Sequence, residues 1–210
     1  MSPKFTGAEP FLPEQLTVRN LQTAVQSCRG CDLYRAATQA VMGEGSSAAQ
    51  IVLVGEQPGD EEDRQGRPFV GPAGKLLHRA LQDARIDDRK VYVTNAVKHF
   101  KFEERGKRRI HKKPSAVQVA ACHAWLEAEV ELIKPDVIVC LGATAAQAIL
   151  GRSYRLTREH GNFVQHAWAP AVTATLHPSA VLRAPEAAQR HEAYRQLVDD
   201  LTKVRERITR

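Results

Sequence analysis

The sequence has no long hydrophobic run, and we expect no secretory leader. No apolar run approaches the ~20 residues that a membrane-spanning helix needs, and residues 1–5 lack the apolar core of a signal peptide. These absences argue against a membrane partner, and we expect a cytoplasmic protein. The 210 residues also contain no internal repeat and no interdomain linker. We therefore predict a flexible tail over residues 1–13 and a single domain over residues 14–210.

Cysteine is scarce, with four in the chain: Cys28, Cys31, Cys122 and Cys140. In a reducing compartment such cysteines are more often metal ligands or buried thiols than disulfides. The Cys28-x2-Cys31 pair offers two thiolates from one tight turn, which suits a zinc ion or an iron–sulfur cluster. Cys122 and Cys140 are too widely spaced for a zinc ribbon, and Cys140, within a run of hydrophobes, is alternatively a buried core thiol. We predict that all four cysteines hold a [4Fe-4S] cluster that ties the N-terminal arm to the sheet, without excluding zinc.

Net charge is almost absent outside one segment. The chain contains 30 Lys and Arg against 24 Asp and Glu, a formal net charge of +6. Residues 98–113 contain eight Lys and Arg against two Glu, so this segment alone gives 8 − 2 = +6. Charge concentrated in one place predicts a site for an anionic partner, with a solvated loop as the alternative.

Hydrophobic patterning predicts an α/β architecture. Apolar runs predict four strands, near residues 50–55, 91–95, 137–141 and 171–175. Helical periodicity predicts the principal helices over residues 72–84, 116–133, 143–150 and 187–206. Strands that alternate with helices indicate a three-layer α/β/α domain with a four-stranded, mainly parallel sheet. The basic segment is predicted to be a long loop.

Polar residues follow the predicted strands. Gly55–Gly59 (Gly-Glu-Gln-Pro-Gly) comes directly after the first strand, and its glycines and proline predict that the acids Asp60–Asp63 lie in a loop rather than a helix. Phe69 follows in a second rigid turn, Asn95 ends the second strand and His177 follows the fourth. Ligands of open α/β sheets bind at the carboxyl ends of strands, so we expect a pocket there. The plainer alternatives are a strand-to-helix turn, a core Phe and a helix-capping His.

Taken together, these segments resemble the uracil-DNA glycosylase superfamily. The resemblance rests on Gly55–Gly59, on Pro68-Phe69-Val70-Gly71, on Asn95 and on His177-Pro178-Ser179, and the four cysteines match its iron–sulfur families. The run Lys107-Arg108-Arg109-Ile110-His111 in an enlarged basic loop, and the Gln after Glu56, are similar to UdgX. UdgX is the branch that becomes covalently joined to uracil-containing DNA.

The resemblance implies a role for each candidate residue. The implied catalytic residues are Glu56, His111 and His177. The implied base-binding residues are Gly55, Gln57, Asp60, Phe69 and Asn95. The implied DNA-binding residues are Lys98, Lys107, Arg108, Arg109 and Arg183. The implied metal ligands are the four cysteines, and the implied partner is uracil-containing DNA, single strands included, bound by a monomer.

The chemistry of these side chains agrees with the implied roles. The amide of Asn95 both donates and accepts, so it can pair with the edge of uracil and reject cytosine. A hydrogen bond from His177 to uracil O2 would stabilise the leaving base. A carboxylate such as Glu56 can balance a cationic C1′ or activate a nucleophile.

The identity of that nucleophile separates the functional hypotheses. Attack by His111 would leave a stable N-glycoside, which gives excision followed by covalent capture. The alternatives are a conventional turnover glycosylase, and a non-catalytic iron–sulfur module that binds nucleic acid. Without the resemblance, His111 would be interpreted first as a phosphate contact, and Arg183 could equally be a solvated side chain.

Overall fold

A six-stranded sheet forms the centre of the structure, a computed structural model that describes residues 5–209. The strands are β1 Glu44–Gly45, β2 Ile51–Gly55, β3 Val91–Asn95, β4 Phe102–Arg105, β5 Arg108–His111, β6 Val137–Leu141, β7 Val164–His166 and β8 Ala169–Thr175. The helices are α1 Val18–Ala24, α2 Asp60–Gln65, α3 Pro72–Asp83, α4 Ala116–Ile133, α5 Ala143–Leu150, α6 Leu156–Glu159, α7 Pro178–Arg183 and α8 Ala187–Ile208. In the described part of the chain, no helix is both long and apolar enough to cross a membrane.

The sheet confirms the predicted α/β fold and adds two edge strands. Its order is β1-β3-β2-β6-β8-β7, and the central strands β3, β2, β6 and β8 are mutually parallel. These four are the strands expected from the sequence. The edge strands β1 and β7 pair antiparallel and span two and three residues. Strands this short have no measurable alternation of polar and apolar residues, which explains why the sequence did not indicate them.

Alternate residues of the central strands enter two separate cores. Val52, Val54 and Ile138 pack on one face of the sheet with residues of α4 and α5. Ile51 and Leu53 pack on the other face with residues of α3 and α8. Because successive side chains of a strand point to opposite faces, a strand buried on both sides consists almost entirely of hydrophobes. The three-layer arrangement expected from the sequence is therefore confirmed.

The acidic stretch forms a helix, so the prediction of a loop there was wrong. Helix α2 begins at Asp60 and ends at Gln65, with Gly59 as its N-cap. The carboxylate of Glu62 accepts a hydrogen bond from the Gly59 N–H at 3.0 Å, which closes the first turn. Acidic residues in a first turn also interact favourably with the helix dipole. The acids therefore stabilise the start of a helix.

The basic segment forms a β-hairpin, so the prediction of a long loop was also wrong. Strands β4 and β5 pair antiparallel, with Phe102 opposite His111 and Arg105 opposite Arg108. Gly106 lies in the turn with φ +59°, a backbone conformation that glycine adopts without steric penalty. Charged side chains hid the strand signal because both faces of this ribbon carry Lys, Arg or Glu. The hairpin brings His111 back to the sheet.

The N-terminal segment packs against the domain over the part that is described. The predicted tail over residues 1–13 falls partly outside the described residues. Within that range, Ala8 is fully buried, the Gly7 N–H donates to the Gly30 carbonyl at 3.2 Å, and Glu9–Phe11 forms a 3-10 turn. Residues 7–11 are therefore attached next to the Cys28-x2-Cys31 turn.

Candidate active site

The predicted site residues lie at the carboxyl ends of adjacent parallel strands. Gly55 ends β2 and pairs in register with Asn95 at the end of β3. His177 follows β8 by two residues, and Gly142, directly after β6, lies against the His177 side chain, since a Cβ on Gly142 would be 3.0 Å from His177 Cβ. This is the end of an open α/β sheet at which ligands bind.

Gly55, Asn95 and Phe69 converge on one small space. A Cβ added to Gly55 would lie 2.3 Å from Asn95 Oδ1 and 2.7 Å from the Phe69 ring, so only glycine fits there. The Asn95 side chain is buried beside Gly55 and the Phe69 ring. A side-chain amide offers both donors and an acceptor, so it is suited to recognise a planar polar ring.

Phe69 is held in an unusual backbone conformation. Its φ of +54° is rare for a bulky residue and marks a strained position. A Cβ on Gly74 would overlap the Phe69 carbonyl oxygen at 1.7 Å, so the start of α3 packs directly under this residue. The Phe69 ring faces the His177 imidazole, with centroids 6.2 Å apart and planes 30° from parallel. The two rings therefore bound the same pocket.

His177 is a neutral imidazole whose proton position is set by its cap. It is the N-cap of α7, and its Nδ1 accepts the Ser179 N–H at 3.1 Å. A neutral ring that accepts at Nδ1 carries its proton on Nε2. Burial, with the Arg183 cation nearby, lowers the His177 pKa to about 4. His177 therefore offers an N–H donor without carrying a charge.

Glu56 is oriented by one residue that the sequence did not reveal. The Thr144 hydroxyl, near the start of α5, donates a hydrogen bond to Glu56 Oε2. The other carboxylate oxygen, Oε1, faces His111, with Nε2 at 3.5 Å. The carboxylate is partly exposed and points out of the strand ends toward the hairpin. No sequence signal identifies Thr144, because it adjoins the site through the sheet rather than through a motif.

His111 is half exposed at the end of β5 and faces the site. Burial on one side, together with the nearby Arg183 cation, lowers the His111 pKa, while Glu56 acts in the opposite direction. The neutral form is therefore favoured, and a neutral imidazole carries an unprotonated nitrogen. The Arg183 side chain is exposed on α7 and lies close enough to influence both imidazoles.

Gln57 holds the hairpin, and its side chain does not face the base pocket. Its amide nitrogen donates to the carbonyls of Lys101 and Lys112, both at 3.1 Å. Its amide oxygen accepts the Lys101 N–H at 3.2 Å. The Gln57 side chain is therefore occupied by the hairpin, and the role of Gln57 in binding the base stays a prediction. A buried amide satisfies its donors and acceptor locally, and here they join the two ends of the hairpin.

Asp60 and Arg109 form the second attachment of the hairpin. The Arg109 guanidinium donates to Asp60 and, at 2.7 Å, to the buried Asp63 carboxylate. It also lies over the Phe100 and Phe102 rings, 5.6 and 4.9 Å from their centroids. In this structure Asp60 and Arg109 are paired with each other, so their predicted contacts with the base and with phosphate stay predictions. Bidentate pairing and ring stacking are typical of a buried arginine.

Lys98 is not on the surface, so its predicted contact with DNA is wrong. Its side chain has no exposed area, and its Nζ lies 2.5 Å from a carboxylate oxygen of Glu129 on α4. A buried ammonium is stable only when it is paired and hydrogen bonded, and Glu129 supplies this pairing for Lys98. Of the eight cations in residues 98–113, Lys98 and Arg109 are internal. Lys107 and Arg108 remain exposed at the hairpin turn.

Three of the four cysteines share one hydrophobic cluster. Cys28, Cys31 and Cys122 pack together around Trp125, whose Nε1 donates to Cys28 Sγ at 3.2 Å. Cys122 Sγ accepts the Lys98 N–H, also at 3.2 Å. Cys140 lies in the core on one face of the sheet, on β6 between Val54 and Ala174. The structure therefore does not bring Cys140 to the other three.

The three grouped thiols fit a cluster better than a single ion. Within residues 5–209, no three Cys, His, Asp or Glu side chains converge as one metal ion requires. The thiolates of a [4Fe-4S] cluster bind different iron atoms and stand farther apart. Burial raises the Cys122 pKa to about 12, partly offset by Lys98, so this thiol would ionise only against added positive charge. His99 is the buried side chain next to Lys98 and follows the amide that contacts Cys122.

Glu62 is a further residue of the site that the sequence motifs did not identify. Its Oε2 accepts the Gly59 N–H at 3.0 Å, and its Oε1 accepts the Gly71 N–H at 2.8 Å. One buried carboxylate thus joins the Gly-Glu-Gln-Pro-Gly turn to the turn that carries Phe69. The spacing of a capping box, with Glu62 three residues after the cap Gly59, was the signal that could have identified it.

A separate cavity lies at the other end of the sheet. It has a volume of about 610 Å³ and is lined by residues that include Glu131, Asp136, His166 and Trp168. Asp136 and Ala169 lie at the amino ends of β6 and β8, whereas the site residues follow the carboxyl ends. None of the site residues lines this cavity, so its size does not identify it as the active site.

Comparison with known proteins agrees with this geometry. The profile described as Uracil DNA glycosylase superfamily matches residues 42–202. A type-4 uracil-DNA glycosylase of Thermotoga maritima is 38% identical over 182 residues, covering 86% of this chain and 89% of that protein. A type-4 uracil-DNA glycosylase of Archaeoglobus fulgidus is 38% identical over 176 residues, covering 80% and 85%. The chain therefore belongs to the uracil DNA glycosylase superfamily.

Proposed function

We propose that this protein removes uracil from DNA by cleaving the N-glycosidic bond, as a step of DNA repair. The observation that carries the proposal is the convergence of Phe69, Asn95, His177 and Glu56 at the carboxyl end of the sheet. Each side chain has the chemistry that one part of the reaction requires. The relatives named as type-4 uracil-DNA glycosylases support the same activity.

The base is bound outside the DNA helix. A uracil inside a duplex cannot reach a pocket at the strand ends, so it enters after it is flipped out or from a single strand. Phe69 stacks on its ring, and the Asn95 amide pairs with the edge that distinguishes uracil from cytosine. Gly55 has no Cβ and so allows both of these side chains to approach its backbone closely.

His177 stabilises the departing base. When the bond from C1′ to uracil N1 breaks, both electrons stay with the uracil, and negative charge builds on the ring oxygens. The Nε2–H of neutral His177 donates to O2, which stabilises this charge as it forms. Because the Ser179 N–H occupies Nδ1, the donor is in place before substrate binds.

Glu56 acts on the sugar. C1′ becomes cationic as the base leaves, and a carboxylate beside it lowers the energy of that state. The Thr144 hydroxyl fixes the carboxylate. If water attacks, its oxygen bonds to C1′, its proton passes to Glu56, and the products are an abasic site and free uracil. The protein is then released for another cycle.

A second candidate reaction uses His111 in place of water. The observation that favours it is the 3.5 Å separation of His111 Nε2 and Glu56 Oε1. At this separation an imidazole and a carboxylate can both act on C1′. A neutral nitrogen of His111 would bond to C1′, and the imidazole proton would pass to Glu56 or solvent. The resulting N-glycoside is a stable linkage, so the protein would stay attached to the DNA. The relatives' names support excision and say nothing of this step.

One gel experiment tests both candidates. The protein is incubated with a labelled oligonucleotide that contains one uracil, and half of each sample is treated with alkali before denaturing electrophoresis. Strand breakage after alkali supports excision with turnover, and a heat-resistant shifted band supports capture. Glu56→Gln should lower either product by about a hundredfold or more. His111→Ser should abolish the shifted band and permit turnover, and a band that persists would place the nucleophile elsewhere.

The grouped cysteines support a proposed [4Fe-4S] cofactor. Cys28, Cys31 and Cys122 would hold it, and the cluster would supply a structural cross-link between the N-terminal segment and α4. We propose a fourth ligand other than Cys140, because Cys140 lies in a different hydrophobic cluster from the three grouped thiols. Buried His99 is the candidate, because it directly follows Lys98, whose N–H donates to Cys122 Sγ.

A further inference from the structure

Lys98 and Glu129 form a fully buried ion pair whose hydrogen bonds are complete. Lys98 Nζ donates to Glu129 Oε2 at 2.5 Å, to the Thr94 hydroxyl at 2.8 Å and to the Asn95 carbonyl at 2.7 Å. Glu129 also accepts from the Gly43 N–H at 2.7 Å and from the Tyr92 hydroxyl at 3.0 Å. All three protons of the ammonium are therefore used inside the protein.

The position of this ion pair along the sheet shows that it contacts the backbone at the end of β3. On its outer side β3 pairs with β1 only at Tyr92 and Val93, so within residues 5–209 no strand pairs with that side beyond Val93. On its inner side the end of β3 is hydrogen bonded to the end of β2, since the Ala96 N–H donates to the Gly55 carbonyl at 2.9 Å. The Asn95 carbonyl faces the outer side, where Lys98 takes the place of a neighbouring strand.

A buried ion pair is not needed for stability alone. Replacing such a pair with well-packed neutral side chains is often neutral or stabilising, so an ion pair at this site calls for another role. Its contacts fix the backbone of Asn95, the residue whose amide lies over Gly55. A small displacement of that backbone would move the amide out of hydrogen-bond range of a bound base.

We propose that Lys98 and Glu129 are positioning residues that hold Asn95 in register for recognition of the base. The proposal rests on the proposed function, because it assigns the pair a role in uracil excision. Lys98 replaces the missing outer strand at the Asn95 carbonyl, and Glu129 holds Lys98 in place from α4. Because the Lys98 N–H also contacts Cys122, the cysteine cluster adjoins the same short segment of chain.

The test is a mutant cycle on two backgrounds. The variant Lys98→Met/Glu129→Gln removes both charges, while the glutamine oxygen still accepts from the Gly43 N–H and the Tyr92 hydroxyl. Its single-turnover rate of uracil excision is measured with Asn95 intact and with Asn95→Ala. We expect a fall of about tenfold to a hundredfold with Asn95 intact and less than about twofold with Asn95→Ala.

Two controls keep the test decisive. Val204→Ala opens a cavity in the core under α8, outside the ion-pair network, and should lower the melting temperature without a comparable loss of rate. If the double variant does not fold, Thr94→Val removes the hydroxyl that joins Lys98 to Glu129, and it is measured on the same two backgrounds.

The outcomes separate the proposal from the function on which it rests. An equal fall on both backgrounds, or no fall with Asn95 intact, would overturn the positioning role. Absence of uracil release by the unmodified protein would instead refute the proposed function, and this is seen before any variant is compared.

Discussion

At the scale of single residues, the site depends on imidazoles that stay neutral. His177 is buried as the cap of α7, and its Nδ1 already accepts the Ser179 N–H. Burial and the Arg183 cation together lower the pKa values of His177 and His111. A neutral His177 donates one defined proton, and a neutral His111 keeps one nitrogen free. The protonation states required for the proposed chemistry therefore exist before DNA binds.

This arrangement predicts how excision depends on pH. Both imidazoles have pKa values below the ordinary 6.5, so the rate should stay level from pH 8 to about 6.5 and fall only at more acid pH. Single-turnover rates across this range measure the midpoint. Arg183→Gln removes a cation near both rings and should move that midpoint upward. A midpoint at or above pH 7 in the unmodified protein would contradict the account.

The same shift has a consequence for stability. The unfolded chain binds a proton on this histidine near pH 6.5, whereas folded His177 does so only near pH 4. The unfolded state therefore binds more protons between these values, and the protein loses stability as the pH falls from 6.5 toward 4. Chemical denaturation at two pH values within this range measures the loss.

At the scale of elements, the hairpin β4–β5 is the feature that carries His111 to the sheet. Gln57 joins its two ends, and Arg109 attaches β5 to α2 through Asp60 and Asp63. The hairpin is thus attached at two points, and its arginines and lysines serve two purposes. Arg109 fixes the strand, while Lys107 and Arg108 at the turn remain free to meet a partner.

The buried arginine should matter for stability and for the position of His111. Arg109→Met should lower the free energy of unfolding by about 2 kcal/mol, because the buried Asp63 carboxylate loses a charge-assisted hydrogen bond. It should also slow any reaction of His111, since β5 is no longer attached to α2. Urea denaturation measures the first effect. An unchanged unfolding midpoint would show that Arg109 does not stabilise the fold.

The exposed cations Lys107 and Arg108, rather than Arg109, should determine how DNA binding depends on salt concentration. Each phosphate neutralised contributes about one log unit of binding constant per log unit of salt. Lys107→Ala/Arg108→Ala should therefore flatten the salt slope of DNA binding while the preference for uracil stays the same. Fluorescence anisotropy at several salt concentrations gives the slope, with Arg109→Met as the matched internal cation. An unaltered slope in the double variant would mean that the turn does not face DNA.

The sequence revealed some elements and not others for physical reasons. The central strands are buried on both faces and so consist of hydrophobes, which made β2 and β6 evident. The hairpin is charged on both faces, and its strand pairing depends on a partner segment rather than on its own pattern. Lys98 looked like a surface cation because composition does not show that Glu129, 31 residues later, lies beside it. The sequence alone did not show which distant segments of the chain are in contact.

At the scale of the whole molecule, the cysteines attach the N-terminal segment to the domain. Cys28 and Cys31 lie in one turn, Cys122 lies on α4, and Trp125 joins the two through its hydrogen bond to Cys28. The sequence predicted all four cysteines as one group, and the structure brings together only these three. The sequence could not separate Cys140, because the face of β6 toward which a residue points depends on strand register.

This grouping predicts different effects for two cysteine variants. Cys122→Ser should lose most of the bound iron and much of its stability, because it removes a ligand of the proposed cluster. Cys140→Ser should keep its iron and lose only packing energy in the core. Iron content per chain and visible absorption after anaerobic purification distinguish the two. Equal iron loss in both variants would show that Cys140 is also a ligand of the cluster.

Measurement of free uracil tests the central claim most directly. The purified protein is incubated with oligonucleotides that differ only in one base, uracil or cytosine, and the released base is quantified by mass spectrometry. The account predicts release of uracil and no cytosine, with about one uracil per protein molecule if His111 captures the sugar and more if water does. Failure of the folded protein to release uracil from either single- or double-stranded DNA would contradict it.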